Sequence, residues 1–397
     1  LERLTEVIEQ LTIPVSVTGV RARAPASTSI DDLAPARKVT TRFAKAVLER
    51  SPSIGVRGEF TRKFLLDLGF DDDQVDIIGC PSLFRRGPKF HVDKQAETLP
   101  ADARMALNLT PEVPGIGQFS LEQAAAHPNL TYIGQDGHDL RLMLWGKPHP
   151  HVSDLNAPVH MSHPLYRENR MRMFVDQWTW FSFLATQDFA YGTRFHGNVA
   201  ALMAGTPAML LAHDSRTVEL AEYHQMPHVV ISKFDAPVST EALYEKTDLS
   251  GFNSGMAEGF DRYVAFLERH DLTHKWQDGA STDRFDEQLE AATFPPAVKP
   301  VTDSSLDEVV ARMNWIRHGM VLDMTRHPER YEYPFEHPRY SGSGSRFARL
   351  QRQYEVKDAK QADQIADLTR RVRQLERGSL VHLVKRAFAK IGNLFKG

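Results

Sequence analysis

An arginine and a histidine two residues apart, Arg194 and His196, carry the most distinctive chemistry in this sequence. A guanidinium binds a carboxylate or phosphate in a fixed fork, and an imidazole donates or accepts a proton near neutral pH. The pair therefore suits an anionic, phosphorylated acid. The same letters also allow a structural role, in which Arg194 pairs with a core carboxylate and His196 caps the next helix.

The elements around this pair predict that it lies at the edge of a parallel sheet. Strand candidates at 189–191 and 208–211 flank it, and the small apolar residues 199–203 predict a short buried helix. In open α/β sheets, ligands collect at the carboxyl ends of strands, where helix N-termini present N–H groups to anions. We therefore expect residues 192–211 to run as an anion-binding loop, a helix and a strand.

Strands alternate with amphipathic helices over most of the chain. The strand candidates are 13–19, 53–57, 75–78, 105–109, 131–133, 189–191, 208–211 and 229–231. This alternation predicts an α/β fold with parallel sheets. We expect an N-terminal domain at 1–100, a second domain at 101–300, a helix and linker at 301–345, and a helical tail at 346–397.

The bulk composition is that of a globular protein. The 397 residues exceed what one hydrophobic core usually supports, and 42% are hydrophobic and 25% charged. A net charge of -3 gives no reason to expect a nucleic acid partner. The single cysteine, Cys80, excludes an internal disulfide, and no run of about 20 apolar residues predicts a membrane span. We therefore expect a cytoplasmic protein.

Histidines and aromatic residues cluster between the second-domain strands. The histidines alternate with prolines, which predicts an extended loop rather than a metal site; they are His149, His151, His160 and His163. The aromatic residues would suit sugar contacts, although core packing explains them equally well; they are Trp145, Tyr166, Trp178 and Trp180. No metal is expected.

Two separate segments resemble the polysaccharide pyruvyltransferase family. The run 192–207 is similar to its Arg-x-His-Gly signature, small-residue helix and Ala-Gly-x-Pro turn. The run 53–69, followed by 78–83, is similar to its Val-Arg-Gly segment, leucine-rich helix and Gly-Cys-Pro-Ser turn. The resemblance implies a GT-B-like arrangement of two Rossmann-like domains that hold the donor between them.

The resemblance also implies a reaction. A pyruvyl group would pass from phosphoenolpyruvate to two hydroxyls of a polysaccharide or glycolipid, which gives a pyruvate ketal and phosphate without a cofactor. His196, as acid/base, and Arg194 would be catalytic. The expected donor-binding residues are Arg57, Arg194, Thr193, Gly197, Asn108 and Arg216.

One family feature is not found. Members begin with a glycine-rich strand and loop that residues 1–20 lack. Either residues upstream of Leu1 supply them, and the given sequence shows a donor cleft without one wall, or this chain alone is not expected to catalyse the reaction. Two alternatives stay open: a nucleotide-sugar-dependent GT-B glycosyltransferase and a non-catalytic membrane-associated scaffold. The spacing of Glu219 and Glu222 does not fit the Glu-x7-Glu pattern of retaining glycosyltransferases, which disfavours the first.

The tail contains two amphipathic segments. Apolar residues at three-four spacing within 346–377 predict a short coiled coil, and hence a homo-oligomer. Segment 379–397 has an apolar face among lysines and arginines. Such a helix fits either docking on protein or peripheral contact with the inner face of a membrane.

Overall fold

The computed structural model describes residues 1–21, 30–150, 152 and 154–314. Residues 1–304 form one unit and 305–397 a second, of which 306–314 are helical. The predicted coiled coil and basic helix lie outside the described residues. In the described part, no helix is long and apolar enough to cross a bilayer.

Helices and strands alternate along residues 1–304. The strands are β1 (Thr18–Val20), β2 (Ile54–Val56), β3 (Val75–Ile77), β4 (Met105–Asn108), β5 (Leu130–Gly134), β6 (Met171–Met173), β7 (Phe189–Gly192), β8 (Ala208–Ala212) and β9 (His228–Val230). The helices are α1 (Glu2–Gln10), α2 (Arg37–Leu48), α3 (Glu59–Asp67), α4 (Ile116–Ala126), α5 (Gly137–Trp145), α6 (Pro164–Arg167), α7 (Gln177–Leu184), α8 (Phe195–Ala204), α9 (Ser215–Tyr223), α10 (Thr240–Lys246), α11 (Ser250–Arg269) and α12 (Asp283–Ala291).

The larger sheet has six parallel strands in the order β6-β5-β4-β7-β8-β9. Numbered from β4, this is the 3-2-1-4-5-6 order of the Rossmann fold. The strand order reverses between the neighbours β4 and β7, where Asn108 lies opposite Gly192. Ligands of such sheets bind at the carboxyl ends of the strands beside this switch point.

Both faces of the larger sheet are buried. On β7, Phe189 and Tyr191 pack into one core, whereas Ala190 packs into the other. On β8, Leu211 and Leu210 divide in the same way. A strand covered on both faces reads as a continuous apolar run, which is why the sequence located these two strands closely.

The smaller sheet has three parallel strands in the order β1-β2-β3. Its core joins strand residues such as Ile54 and Val56 to Ile8 of α1 and to Phe43 and Val47 of α2. The predicted fold class is therefore confirmed as far as an α/β protein with two parallel sheets.

We call the region around the smaller sheet the first domain and the region around the larger sheet the second domain; both lie within the single unit 1–304. Helix α11 reaches from the second domain to the first. The imidazole Nε2 of His270, just past its end, lies 2.9 Å from the Ser53 hydroxyl, which immediately precedes β2. Phe266 and Leu267 bury Ile78 of the first domain in a small apolar cluster. The two domains therefore share apolar packing as well as hydrogen bonds.

Two predicted boundaries differ from the observed ones. The strand expected at 13–19 pairs only at Thr18–Val20, and Pro14 has no N–H to donate to a ladder. Helix α8 begins at Phe195 rather than near Asn198, so His196 and Gly197 lie in its first turn instead of in a loop. The backbone N–H groups of that turn have no partners within the helix.

A glycine at the switch point tests this packing. Gly192 has φ +146°, and an added Cβ would lie 1.8 Å from the Asn108 carbonyl oxygen. We expect Gly192→Ala to lower the free energy of unfolding by about 3 kcal/mol in urea denaturation, because neither backbone can yield. The control is Gly137→Ala in the first turn of α5, where a Cβ meets nothing within 4 Å. Equal stability of both variants would contradict the prediction.

Candidate active site

A cavity of about 770 Å³ opens at the carboxyl edge of the larger sheet. Segments that follow strands β4 to β9 contribute to its wall. The lining residues are Thr110, Glu112, Val113, Pro114, Gly134, Gln135, Asp136, Met173, Phe174, Trp180, Arg194, Phe195, His196, His213, Arg216 and Ser232. Three of the predicted site residues, Arg194, His196 and Arg216, therefore face one cavity.

Three other predicted donor-binding residues shape the loop beneath this cavity. The Asn108 side chain, 2% exposed, accepts a hydrogen bond from the Arg194 N–H at 2.9 Å. The buried Thr193 hydroxyl accepts one from the Thr110 N–H at 2.6 Å. A Cβ on Gly197 would lie 2.6 Å from Gln135 Nε2. None of Asn108, Thr193 and Gly197 is among the described residues that line the cavity. Asn108 and Thr193 instead hold the backbone of the lining residues Arg194 and Thr110.

Arg194 is largely engaged by the protein itself. Its Nε donates to the Leu109 carbonyl oxygen at 2.6 Å, and its Nη2 donates to Asp136 Oδ2 at 2.5 Å. Asp136 also caps the N-terminus of α5. The structural role that the sequence left open for Arg194, a pair with a carboxylate, is therefore present, and it fixes the guanidinium at the cavity wall.

A second carboxyl group lies behind this pair. Asp139 is 4% exposed and accepts hydrogen bonds from the Gln135 N–H at 2.9 Å and the Tyr132 hydroxyl at 3.3 Å. Burial, reinforced by the Asp136 charge, raises the pKa of Asp139 to about 6. The wall beside Arg194 therefore holds one carboxylate and one carboxyl group that titrates near neutral pH.

His196 lies in the first turn of α8 and lines the cavity. Burial, together with the charges of Arg57, Arg21 and Arg216, lowers the pKa of its imidazole to about 4. The imidazole is therefore neutral near pH 7 when no ligand is bound. The opposing domain supplies Cys80, whose Sγ lies 3.9 Å from His196 Nε2.

The arginines that act on His196 come from strand ends in both domains. Arg57 follows β2 directly and donates from Nε to the Gly19 carbonyl oxygen at 2.8 Å and from Nη1 to that of Gly79 at 3.2 Å. Arg21 follows β1, and Arg216 lies in the first turn of α9. The charges of Arg57 and Arg216 thus both act on His196, although Arg57 is not among the described residues that line the cavity.

Sequence reasoning missed several residues of this site. Arg21 and His213 each directly follow a strand, as Arg57 does, so the same rule applied to every strand end would have found them. The short β1 and its shifted boundary concealed Arg21. Asp136, which begins a capping box after β5, was equally accessible to that rule.

Aromatic side chains also line the cavity. The rings of Phe174 and Trp180 are nearly parallel, with centroids 6.5 Å apart and an interplanar angle of 8°. Both line the cavity together with Met173. By contrast, Tyr166 is fully buried in the core, where its hydroxyl donates to the Leu142 carbonyl oxygen. Of the aromatic residues proposed for sugar contacts, Trp180 is the one at this cavity.

Glu219 of α9, which is 5% exposed, joins the second domain to the first domain. Its carboxylate accepts the Thr61 N–H at 2.7 Å and the Thr61 hydroxyl at 3.1 Å, so it caps the first turn of α3 from the other domain. Gly58, between Arg57 and α3, leaves room for this, because a Cβ there would lie 2.3 Å from Glu219 Cγ. The contact between Glu219 and Thr61 thus fixes the position of Arg57, next to α3, relative to Arg216 on α9.

The end of α9 adds two further contacts to the first domain. The Tyr223 hydroxyl donates to the Ile77 carbonyl oxygen at 3.0 Å, and His224 Nε2 accepts the Cys80 N–H at 2.7 Å. Burial lowers the pKa of His224 to about 3, so the acceptor stays unprotonated. Fold and site together define a parallel α/β protein with a cavity at the carboxyl edge of its larger sheet, lined by Arg194, His196 and Arg216.

Within that class, residues 29–215 match the family described as polysaccharide pyruvyl transferase. The family resemblance of the two sequence motifs is thereby confirmed, since both lie within the matched residues. No curated protein is significantly similar to the chain.

Three solved structures match the chain at low sequence identity. The glycotransferase of kitacinnamycin is 15% identical, with a TM-score of 0.30, and the match covers 61% of this chain and 65% of that one, just under two thirds. A putative UDP-N-acetylglucosamine 2-epimerase from Listeria monocytogenes is 13% identical, covering 74% and 71%, with a TM-score of 0.33. S. aureus MnaA with UDP is 14% identical, covering 74% and 72%, with a TM-score of 0.34.

The contact between α9 and α3 makes a stability prediction. Glu219→Ala removes the acceptor from the buried Thr61 N–H and should lower the free energy of unfolding by about 1–3 kcal/mol. Glu219→Gln keeps an acceptor and removes a carboxylate whose burial raises its pKa, so we expect little change. Chemical denaturation measures both, with Glu222→Ala on the exposed face of α9 as the control. A Glu219→Ala protein as stable as Glu222→Ala would show that the contact contributes nothing.

Proposed function

We propose that this protein transfers a pyruvyl group from phosphoenolpyruvate to sugar hydroxyls and forms a pyruvate ketal. The observation that carries the proposal is the position of His196 at the sheet's switch point, under the positive charge of Arg57, Arg21 and Arg216 from both domains. A site with several cations around one proton carrier suits a donor with both a carboxylate and a phosphate. The family match over 29–215 supports the same reaction.

The donor would bind between the two domains. Arg57 and Arg21 offer positive charge from the first domain, and Arg216 offers it from the second. The N-terminal turn of α8 adds backbone N–H groups and the positive end of the helix dipole. Arg194, already paired with Asp136, would hold the ligand with the part of its guanidinium that faces the cavity.

His196 would move the protons. Protonation of the terminal carbon of phosphoenolpyruvate makes the phosphate-bearing carbon electrophilic, and a sugar hydroxyl attacks it and loses its proton. Phosphate then leaves, and a second hydroxyl attacks the same carbon and loses its proton, which completes the ketal. Of the two hydroxyl protons, one restores the proton given to carbon and the other leaves with the phosphate. An anionic donor beside His196 offsets the nearby arginine charges, so binding itself should raise the pKa of the imidazole. The donor would thus help to create the acid that activates it.

The acceptor sugar would occupy the aromatic side of the cavity. Trp180 and Phe174 offer apolar ring faces, and Asp136 and Gln135, which also line the cavity, offer hydrogen-bonding groups. An apolar face with a few polar groups is the usual composition of a site for a small neutral ligand. The two substrates would then approach His196 from different sides.

A titration tests the coupling between donor and proton. Without ligand, His196 should titrate near pH 4, and saturating phosphoenolpyruvate should raise the pKa of its imidazole. Because the bound state then holds more protons than the free state, donor affinity should increase as pH falls between the bound and free pKa values. NMR of the imidazole, assigned with His196→Asn, measures the shift. A midpoint that stays near 4 at saturation would rule out His196 as the acid.

Turnover tests the reaction. With phosphoenolpyruvate and a glycan, we expect phosphate release and pyruvate on the sugar; His196→Ala should lower kcat by about 10²–10⁴-fold. Arg57→Gln should raise the KM for phosphoenolpyruvate by about tenfold to a hundredfold. The control is His91→Ala, an exposed histidine paired with Asp93.

Each substituted protein should keep the wild-type circular dichroism spectrum, so that a lost rate reports the site rather than the fold. Turnover with a nucleotide-sugar but not with phosphoenolpyruvate would refute the proposed reaction and favour a glycosyltransferase. Full rates in both site variants would refute the proposed site.

A further inference from the structure

A second concave surface lies at the other end of α8 from His196. It encloses about 530 Å³ between α7, the end of α8 and the 3₁₀ helix Pro81–Arg86. We call it the basic groove; it is lined by Arg85, Arg86, Trp178, Phe181, Ser182, Ala185, Met203, Ala204 and Lys275. At a rise of 1.5 Å per residue, Met203 lies about 11 Å along the helix from His196.

The described residues that line the basic groove carry positive charges and no negative charge. Arg85, Arg86 and Lys275 contribute cations, and the described residues that line it include no aspartate or glutamate. Burial, together with the charge of Arg86, lowers the pKa of Arg85. A concave surface of one charge sign concentrates ions of the opposite sign.

The cations are held in place by the protein. The Arg85 guanidinium lies over the Trp178 ring, 3.8 Å from its centroid, and its buried Nη1 has no hydrogen-bond partner among the described residues. Lys275 Nζ donates to the Arg85 carbonyl oxygen at 2.8 Å, and Arg86 Nη1 donates to that of Met203 at 3.0 Å. An anion binding here would lose less side-chain entropy than at freely moving cations.

Helix α7 connects the basic groove to the cleft. Trp180 lines the cleft, whereas Trp178 and Phe181 of the same helix line the groove. Aromatic faces beside fixed cations suit a chain of sugar rings that carries acidic groups, because each ring offers an apolar face and each acidic group a hydrogen-bond acceptor.

We propose that the basic groove binds a carboxylate or phosphate of an acidic glycan, whose target sugar occupies the cleft at His196. The proposal rests on the proposed function for the identity of the acceptor. It adds that the acceptor is a charged chain, recognised some distance from the sugar that reacts.

Binding without turnover tests this inference. Isothermal titration of the full chain with hexagalacturonate, an acidic oligosaccharide, should show binding, whereas neutral maltohexaose should bind much more weakly. Arg85→Gln and Lys275→Gln should each weaken hexagalacturonate binding by about tenfold, because each removes a charge-assisted contact. Arg42→Gln, which removes an exposed arginine paired with Glu9 on α1, should bind as the wild type does.

The outcomes separate the basic groove from the reaction. Binding of hexagalacturonate that depends on Arg85 supports the proposed role of the basic groove even if phosphoenolpyruvate is not a substrate. If the wild type turns over phosphoenolpyruvate but Arg85→Gln binds hexagalacturonate normally, the proposal for the groove is wrong and the proposed reaction stands. Equal affinity for the neutral and acidic oligosaccharides also overturns the proposal for the groove. So does Arg85-dependent binding to phosphatidylglycerol vesicles without binding to hexagalacturonate, which would indicate a membrane surface. Arg85→Lys, which keeps the charge, should retain more affinity than Arg85→Gln.

Discussion

The hydrogen bonds that α9 makes to the first domain are the constraint on which the site depends. The helix begins beside Arg216, caps α3 through Glu219, and ends where His224 accepts the Cys80 N–H. A site whose charges come from two domains is only as well defined as the domain interface. Here α9 makes that interface from its middle, at Glu219, to its C-terminal end, at His224, and α11 adds further contacts, so the arginines on the two sides hold their separation before any ligand arrives. Such preorganisation reduces the reorganisation that binding or catalysis would otherwise require.

Burial and the charges of the nearby arginines both disfavour the protonated form of His196. An imidazole surrounded by cations and removed from water loses its proton, yet the proposed chemistry needs a proton there. The conflict is resolved if the anionic substrate is part of the acid: its charge replaces the missing counterion. The Asp136–Arg194 pair on the neighbouring wall shows the contrasting solution, in which the protein supplies the counterion itself. Arg194 therefore has its counterion within the protein, whereas at His196 the counterion would come from the ligand.

The sequence predicted the alternation of strands and helices, the family resemblance and the residues at the cleft because these are local features. Buried strands such as β7 and β8 are continuous apolar runs; Arg57 directly follows β2, and His196 lies in the first turn of the helix after β7. What it missed depends on contacts between distant segments. The roles of Asn108 and Thr193 as supports under the loop arise from pairing of β4 with β7. The cap of Glu219 on Thr61 joins two domains, and the three-residue β6 has an arginine at its centre that no strand pattern would favour.

Gly58 has a consequence for how this protein can change over generations. The position is closed to every residue with a Cβ as long as position 219 carries a long side chain, because the two would occupy the same space. An alanine at 58 becomes tolerable only once residue 219 is shortened, and shortening residue 219 first removes the cap from α3. A change at 58 thus depends on a prior change at 219, which itself removes a contact to α3. We therefore expect relatives that keep Glu219 to keep Gly58 as well.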